Sequence, residues 1–142
     1  MVGAALSRHH VDPSQLVLEV NERASFEGND EGVEALVALS KLGVRIAIDD
    51  FGAGITSVSQ LLRLPLARVK FDKSLIADLD GDEPGKAEVV IRGLSGLVSG
   101  LGLESVAEGI ESENQLQAVR RCGIDFAQGF LMGYPVHAAA GV

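Results

Sequence analysis

The stretch Ile46-Ala47-Ile48-Asp49-Asp50-Phe51-Gly52-Ala53-Gly54 decides the reading of this chain: alternating β-branched residues run into two adjacent carboxylates and a glycine-rich turn. Successive strand residues face opposite sides of a sheet. Two neighbouring aspartates therefore share a site only where the strand ends and the chain leaves the sheet. Gly52 and Gly54 allow the positive φ angles and close backbone approach that such a turn needs. A plainer reading is also open, in which Asp49 and Asp50 terminate a strand and cap the next helix.

Outward from this stretch the same rhythm repeats. Short apolar runs at 16–20 (LVLEV), 44–49 (VRIAID), 67–72 (ARVKFD), 104–108 (ESVAE) and 125–130 (DFAQGF) predict strands. Helical spacing falls between them. Residues 30–42 put Val33, Leu36, Val37 and Leu39 on one face, and Gly43 ends the segment as a C-cap. Residues 86–101 and 112–121 read likewise, the second opening on a capping box of Ser112 and Gln115. Strand and helix in alternation predict parallel strands joined by right-handed crossovers. The expected fold is α/β, a partial TIM-like (β/α) barrel with about five parallel strands and four intervening helices. At 142 residues the chain is one domain's length, short of the about 250 residues of a closed eight-stranded barrel. The acidic turn Asp78 to Gly85 carries no signal of a domain boundary, so 1–142 reads as a single truncated domain.

The formal net charge of −8 opposes a grip on DNA or RNA, which needs a basic surface, and an anionic substrate would require a metal. One cysteine, Cys122, excludes an internal disulfide and reads as partly buried structure. No signal peptide opens the chain, and the apolar region 89–103 is interrupted by Arg92, two serines and four glycines, so no membrane segment is expected and the cytoplasm is the expected home. His9 and His10 lie in a polar segment and read as surface residues.

Parallel strands place all five C-terminal ends on one edge, where α/β folds bind ligands. The residues there are Glu19, Asp49, Asp50, Lys70, Glu108 and Gln128. Four carboxylates brought together repel one another, and a divalent cation relieves that repulsion. Oxygen-only ligation favours Mg²⁺ or Mn²⁺, a carboxylate shared between two ions suits in-line attack on phosphate, and Lys70 would supply a fixed positive charge. Taken singly, each residue has a structural reading. Glu19 could lie on a solvated face, Lys70 could form a salt bridge with Asp72 or Glu108, and Glu108 and Gln128 could be helix-start and turn residues.

LEVNE (18–22), AIDDFGAG (47–54), VKFDKSLI (69–76), SVAEGIES (105–112) and DFAQGFLMGYP (125–135) resemble, in order and spacing, the motifs of the EAL domain, the bacterial cyclic di-GMP phosphodiesterase. The resemblance implies a TIM-like barrel that uses two Mg²⁺ or Mn²⁺ ions to cleave cyclic di-GMP to pGpG. It implies that Glu19, Asp49 and Asp50 are metal ligands, Asp49 bridging the ions. It further implies that Lys70 positions the water, that Glu108 is an essential acid at the metal-water cluster, that Gln128 is a polar residue near the site, and that Glu22 anchors the loop after the double aspartate. The departures are as specific. The Glu-Ala-Leu tripeptide that names the family reads as absent, as does the asparagine ligand of the following strand. Both are expected in an N-terminal portion of roughly a hundred residues that this chain lacks. Asn21 replaces a usual threonine, Ile55-Thr56-Ser57 a Tyr-Ser-Ser run, and Tyr134 an arginine that often precedes the proline.

Two functional readings follow. One is the C-terminal portion of the phosphodiesterase domain, catalytically incomplete as an isolated chain and with weak or partial metal binding. The other is a non-catalytic module that binds nucleotide or a partner protein. Two strand edges without partners, and an inner barrel face read as Ile46, Ile48, Val69, Phe71 and Val106 with no opposite wall, predict a homodimer or larger assembly.

Overall fold

The computed structural model describes residues 1–21, 30–53 and 58–136. In chain order the elements are α1 (Val2–Arg8), β1 (Val17–Asn21), α2 (Asp30–Lys41), β2 (Arg45–Phe51), α3 (Val58–Arg63) and β3 (Arg68–Phe71), followed by α4 (Lys73–Ala77), α5 (Pro84–Gly100), β4 (Glu104–Ala107), α6 (Glu113–Arg121) and β5 (Phe126–Ala127). Single 3-10 turns stand at Pro13–Gln15 and Asp78–Asp80. The strands form one parallel sheet in the order β1-β2-β3-β4-β5, so the expected α/β architecture with five parallel strands holds.

The predicted end signals act as read. Gly43 takes φ +99° and its N–H bonds to Ser40 O after α2. Ser112 and Gln115 close a reciprocal capping box on α6. Two short helices escape the periodicity argument. α1 buries only Leu6, too little for a pattern, and α4 is a five-residue turn started by Asp72, which accepts from Ser74 N. β5 is shorter than the predicted 125–130. Beyond Ala127 the backbone turns to the loop after β4: Ile110 N–H donates to Gln128 O and Leu131 N–H to Ile110 O. A Cβ at Gly129 would stand 2.2 Å from both the N and the O of Ile110, so glycine is what lets the two loops touch.

The assignment of faces requires a correction. Ile46, Ile48, Val69 and Phe71 do not line an open interior. Ile48, Val69 and Phe71 share a core with Ile91 and Val98 of α5 and Val119 of α6, and Ile46 packs with Leu6 of α1 and Leu36 of α2. Strand alternation shows that residues i and i+2 share a face but not which face the helices cover, and burial drives the apolar row under the helices. The opposite face carries Glu19, Arg45, Asp49, Arg68, Lys70, Glu104 and Glu108, tied together by ion pairs, together with Val106. Among the described residues, Ile46, Ile48, Val69 and Phe71 therefore form no exposed apolar wall for self-assembly.

The reading of the tripeptide is corrected as well. Glu-Ala-Leu does occur, at Glu34-Ala35-Leu36, but in the middle of α2, where Leu36 is buried in the core and Glu34 is exposed. It is a helix segment, away from the strand ends that carry the carboxylates.

Gly129→Ala should lower the urea unfolding midpoint by the equivalent of about 2 kcal/mol or more, since neither backbone can retreat without breaking the Ile110–Gln128 pairing. A second expectation concerns Glu104, whose carboxyl is held below the ordinary range first by the Arg68 hydrogen bond, against some burial, and then by Arg45. A lowered folded value contributes stability above the unfolded value of about 4.3, lost as pH falls through the folded one. The stability gap between the native chain and Glu104→Gln, measured by urea unfolding, should be open at pH 7 and should narrow steadily as pH falls below that unfolded value.

Candidate functional site

Two adjacent aspartates reach one face because β2 bulges, not because it ends. Between the pairs Ile48↔Val69 and Phe51↔Phe71, β2 advances by three residues while β3 advances by two. Asp49 and Asp50 together therefore oppose Lys70, and Phe51 returns to the helix-covered core beside Phe71. Asp50 accommodates the extra residue at φ +57°, in the left-handed region that aspartate tolerates better than most side chains. Its Oδ2 accepts from Asn21 Nδ2 at 2.7 Å, so the end of β1 helps to hold the bulge.

Lys70, only 7% exposed, is the hub. Its Nζ lies 2.7 Å from Glu108 Oε1, 2.8 Å from Glu19 Oε1 and 3.3 Å from Asp49 Oδ1. Burial alone would push its ammonium down. The hydrogen bonds to Glu108 and Glu19 and the charges of Glu108 and Asp49 outweigh that and hold it above its ordinary value, so it stays charged. For Glu108 burial dominates and raises the carboxyl. Lys70 opposes that shift through its hydrogen bond and charge, and Asp49 reinforces it.

Asp49, Asp50 and Glu108 each offer a carboxylate oxygen, all within 4.8 Å of one another. Asp49 Oδ1 is buried and has no hydrogen-bond partner, its Lys70 contact being an ion pair at 3.3 Å. A buried acceptor with an unused lone pair, beside two further carboxylates, fits a hard divalent cation with oxygen ligands, the class of Mg²⁺ and Mn²⁺. Glu19 joins the cluster through Lys70 and stands outside the tight oxygen triad. Lys70 pairs with Glu108, as one structural reading had it, whereas Asp72 caps α4 instead. Gln128 is exposed and lines a groove with Phe130 and Tyr134, its backbone fixed by Ala107 O and Ile110 N–H. Glu22 lies outside the described residues.

The sequence reading missed a second charged layer on the same face. Glu104 Oε2 accepts from Arg45 Nη2 and from Nε and Nη2 of Arg68, at 3.0 and 2.7 Å for the latter pair, and Arg68 lies 5.0 Å over the Phe126 ring. The signal was available: Arg68 is two residues before Lys70 and Glu104 four before Glu108, so alternation places each on the site's face.

The family model of the EAL domain matches residues 2–135. The chain belongs to the EAL domain family. MucR of Pseudomonas aeruginosa, a bifunctional diguanylate cyclase/cyclic di-GMP phosphodiesterase, is 40% identical over 134 residues, which is 94% of this chain and 19% of that protein. The solved structure of the MucR phosphodiesterase in complex with c-di-GMP superposes with a TM-score of 0.86 at 39% identity, covering 96% of this chain and 55% of that one. A manganese and cyclic di-GMP complex of BlrP1 from Klebsiella pneumoniae gives 0.80 at 31% identity, covering 90% and 32%. This chain thus spans only part of the length of each relative. Its five strands belong to the TIM-barrel-like EAL fold. Among the described residues no helix is long and apolar enough to cross a membrane.

The strained aspartate gives a test of the bulge. Asp50→Ala loses the Asn21 bond and keeps a β-carbon at φ +57°, whereas Asp50→Gly loses the same bond and relaxes the backbone. Chemical denaturation should find Asp50→Gly more stable than Asp50→Ala by about 1 kcal/mol. Equal stability, or the reverse order, would mean that the bulge is not held as described.

Proposed function

We propose that this chain is the C-terminal portion of a metal-dependent cyclic di-GMP phosphodiesterase domain, residues 1–142 forming one part of a single EAL barrel. The observation that carries the reading is the convergence of Asp49, Asp50 and Glu108 oxygens within 4.8 Å beside the buried Lys70. The relatives that support it are named for cyclic di-GMP chemistry or solved with that nucleotide bound.

Asp49, Asp50 and Glu108 are the residues to hold Mg²⁺ or Mn²⁺, with Glu19 beside them. Two such cations, when bound, supply Lewis-acid polarisation of a phosphoryl oxygen and a water acidic enough to attack it. Lys70 remains protonated, fixes the carboxylates of Glu19 and Glu108 by its two short contacts, and presents positive charge where a phosphodiester gains negative charge. Glu108, fixed by its 2.7 Å contact with Lys70 and close to both aspartates, is positioned to hold an attacking water at the cluster. Gln128 lies at the nucleotide's approach, and Glu22 supports the loop after Gly52.

The 142-residue polypeptide by itself is a poor enzyme. The family's further glutamate and asparagine ligands are not supplied by its own Glu-Ala-Leu, because Glu34 stands exposed on α2. Its assembly, in this reading, is a homodimer or larger through the outer edges of β1 and β5, the two end strands of the sheet among the described residues.

Purified protein incubated with cyclic di-GMP and Mn²⁺ should yield at most traces of pGpG. Calorimetry should show weak Mn²⁺ binding that falls by at least about 10-fold in Asp49→Asn, Asp50→Asn. Brisk turnover abolished by Asp49→Asn would overturn the incompleteness of the isolated chain. Unchanged Mn²⁺ affinity in the double variant would overturn the assignment of the metal ligands.

A further inference from the structure

Of the carboxylates gathered at the strand ends, Asp50 is held differently from the rest. Lys70 Nζ contacts Glu19, Asp49 and Glu108 at 2.7 to 3.3 Å, so those groups share one positive charge. Among the described residues Asp50 takes no part in that arrangement. The partner that holds it is neutral: Asn21 Nδ2 donates to Asp50 Oδ2 at 2.7 Å.

The contact exists because the sheet is irregular. Asn21 is the last residue of β1 and lies in register with Asp49, not with Asp50. Two residues beyond Glu19, it presents its side chain to the same face. A regular β2 would turn Asp50 away from that face, and only the extra residue between Ile48 and Phe51 brings its carboxylate within reach of the amide. Asp50 stands at φ +57° and is only partly buried, so neither strand geometry nor close packing fixes where its carboxylate points. The Asn21 amide does. It also orients the carboxylate without cancelling its charge, whereas a lysine or arginine at the same place would repel an incoming cation. A neutral donor leaves the charge of Asp50 to the ion, and a ligand already held in place loses less freedom when the ion arrives.

We propose that Asn21 is a positioning residue for the cation: through its bond to Asp50 Oδ2 it holds that carboxylate beside Asp49 and Glu108 and so sets the affinity of the cluster for Mg²⁺ or Mn²⁺. The inference rests on the metal reading given above and adds to it a residue outside the carboxylate triad, on a different strand. Groups that hydrogen-bond to ligating carboxylates carry about 10- to 100-fold in metal affinity.

Mn²⁺ alone, titrated into the full chain with its free fraction read by electron paramagnetic resonance, tests this role without any turnover. Asn21→Leu removes the donor at an exposed position with little change in size, and with circular dichroism unchanged it should bind Mn²⁺ about 10- to 100-fold more weakly. Asn21→Gln keeps an amide donor on a longer stem and should recover affinity relative to Asn21→Leu. In an Asp50→Gly background, where the carboxylate is gone, Asn21→Leu should change the affinity no further. Native affinity in Asn21→Leu, no recovery in Asn21→Gln, or the same loss in the Asp50→Gly background overturns the positioning role. Should Asn21→Leu fail to fold, Asn21→Ser, whose hydroxyl stops one bond short of the amide nitrogen, carries the same expectations. The two readings fail separately. Affinity lost in Asp49→Asn, Asp50→Asn but kept in Asn21→Leu leaves the metal ligands standing and removes Asn21 alone, whereas affinity unchanged in the double variant as well removes both.

Discussion

The site depends on one extra residue in β2. A regular strand would send Asp50 to the helix-covered face, into the core that holds Ile48, Val69 and Phe71, where an unpaired carboxylate could not be accommodated. The bulge opposite Lys70 removes that conflict. It turns Asp49 and Asp50 to the same face and restores the apolar phase at Phe51. The backbone strain at Asp50 is the counterpart of this gain, and the contact with Asn21 helps to offset it. Everything charged at the strand ends is arranged around this displacement: Lys70 opposite it, Glu19 on one flank and Glu108 on the other.

Lys70 shows how the carboxylate cluster is held together. Three carboxylates facing one another would repel, and a buried charge without partners would be strongly destabilising. Here the carboxylates satisfy the buried ammonium in full and the ammonium offsets part of their repulsion, at distances of 2.7 to 3.3 Å. The second layer beneath repeats the scheme with opposite sign, two arginines on one glutamate. Such a face, polar in both layers, is suited to a barrel interior that binds an anion through a metal, and it differs from the apolar wall that simple counting of hydrophobic residues suggests.

Much of this was legible in the residues. Periodicity and turn residues located all five strands, and parallel crossovers put Glu19, Asp49, Asp50, Lys70, Glu108 and Gln128 on one edge without any structure. Three things were not legible, each for a physical reason. Alternation has no sign, so the apolar rows of β2 and β3 were assigned to the open side when the helices claim them. A bulge in a parallel pair is defined by the partner's register, which no single strand encodes, so the paired aspartates looked like a strand terminus. The end of β5 is set by the close approach of Gly129 to Ile110, a contact between segments nearly twenty residues apart.

The most direct test of the account is anomalous diffraction at the manganese edge from crystals of this protein soaked in Mn²⁺. The account predicts a peak within about 2.5 Å of carboxylate oxygens from both Asp49 and Asp50, with Glu108 completing the set. A peak bound to only one of the two aspartates, or located away from the β2 bulge, would contradict the claim that the bulge exists to bring both carboxylates to one cation.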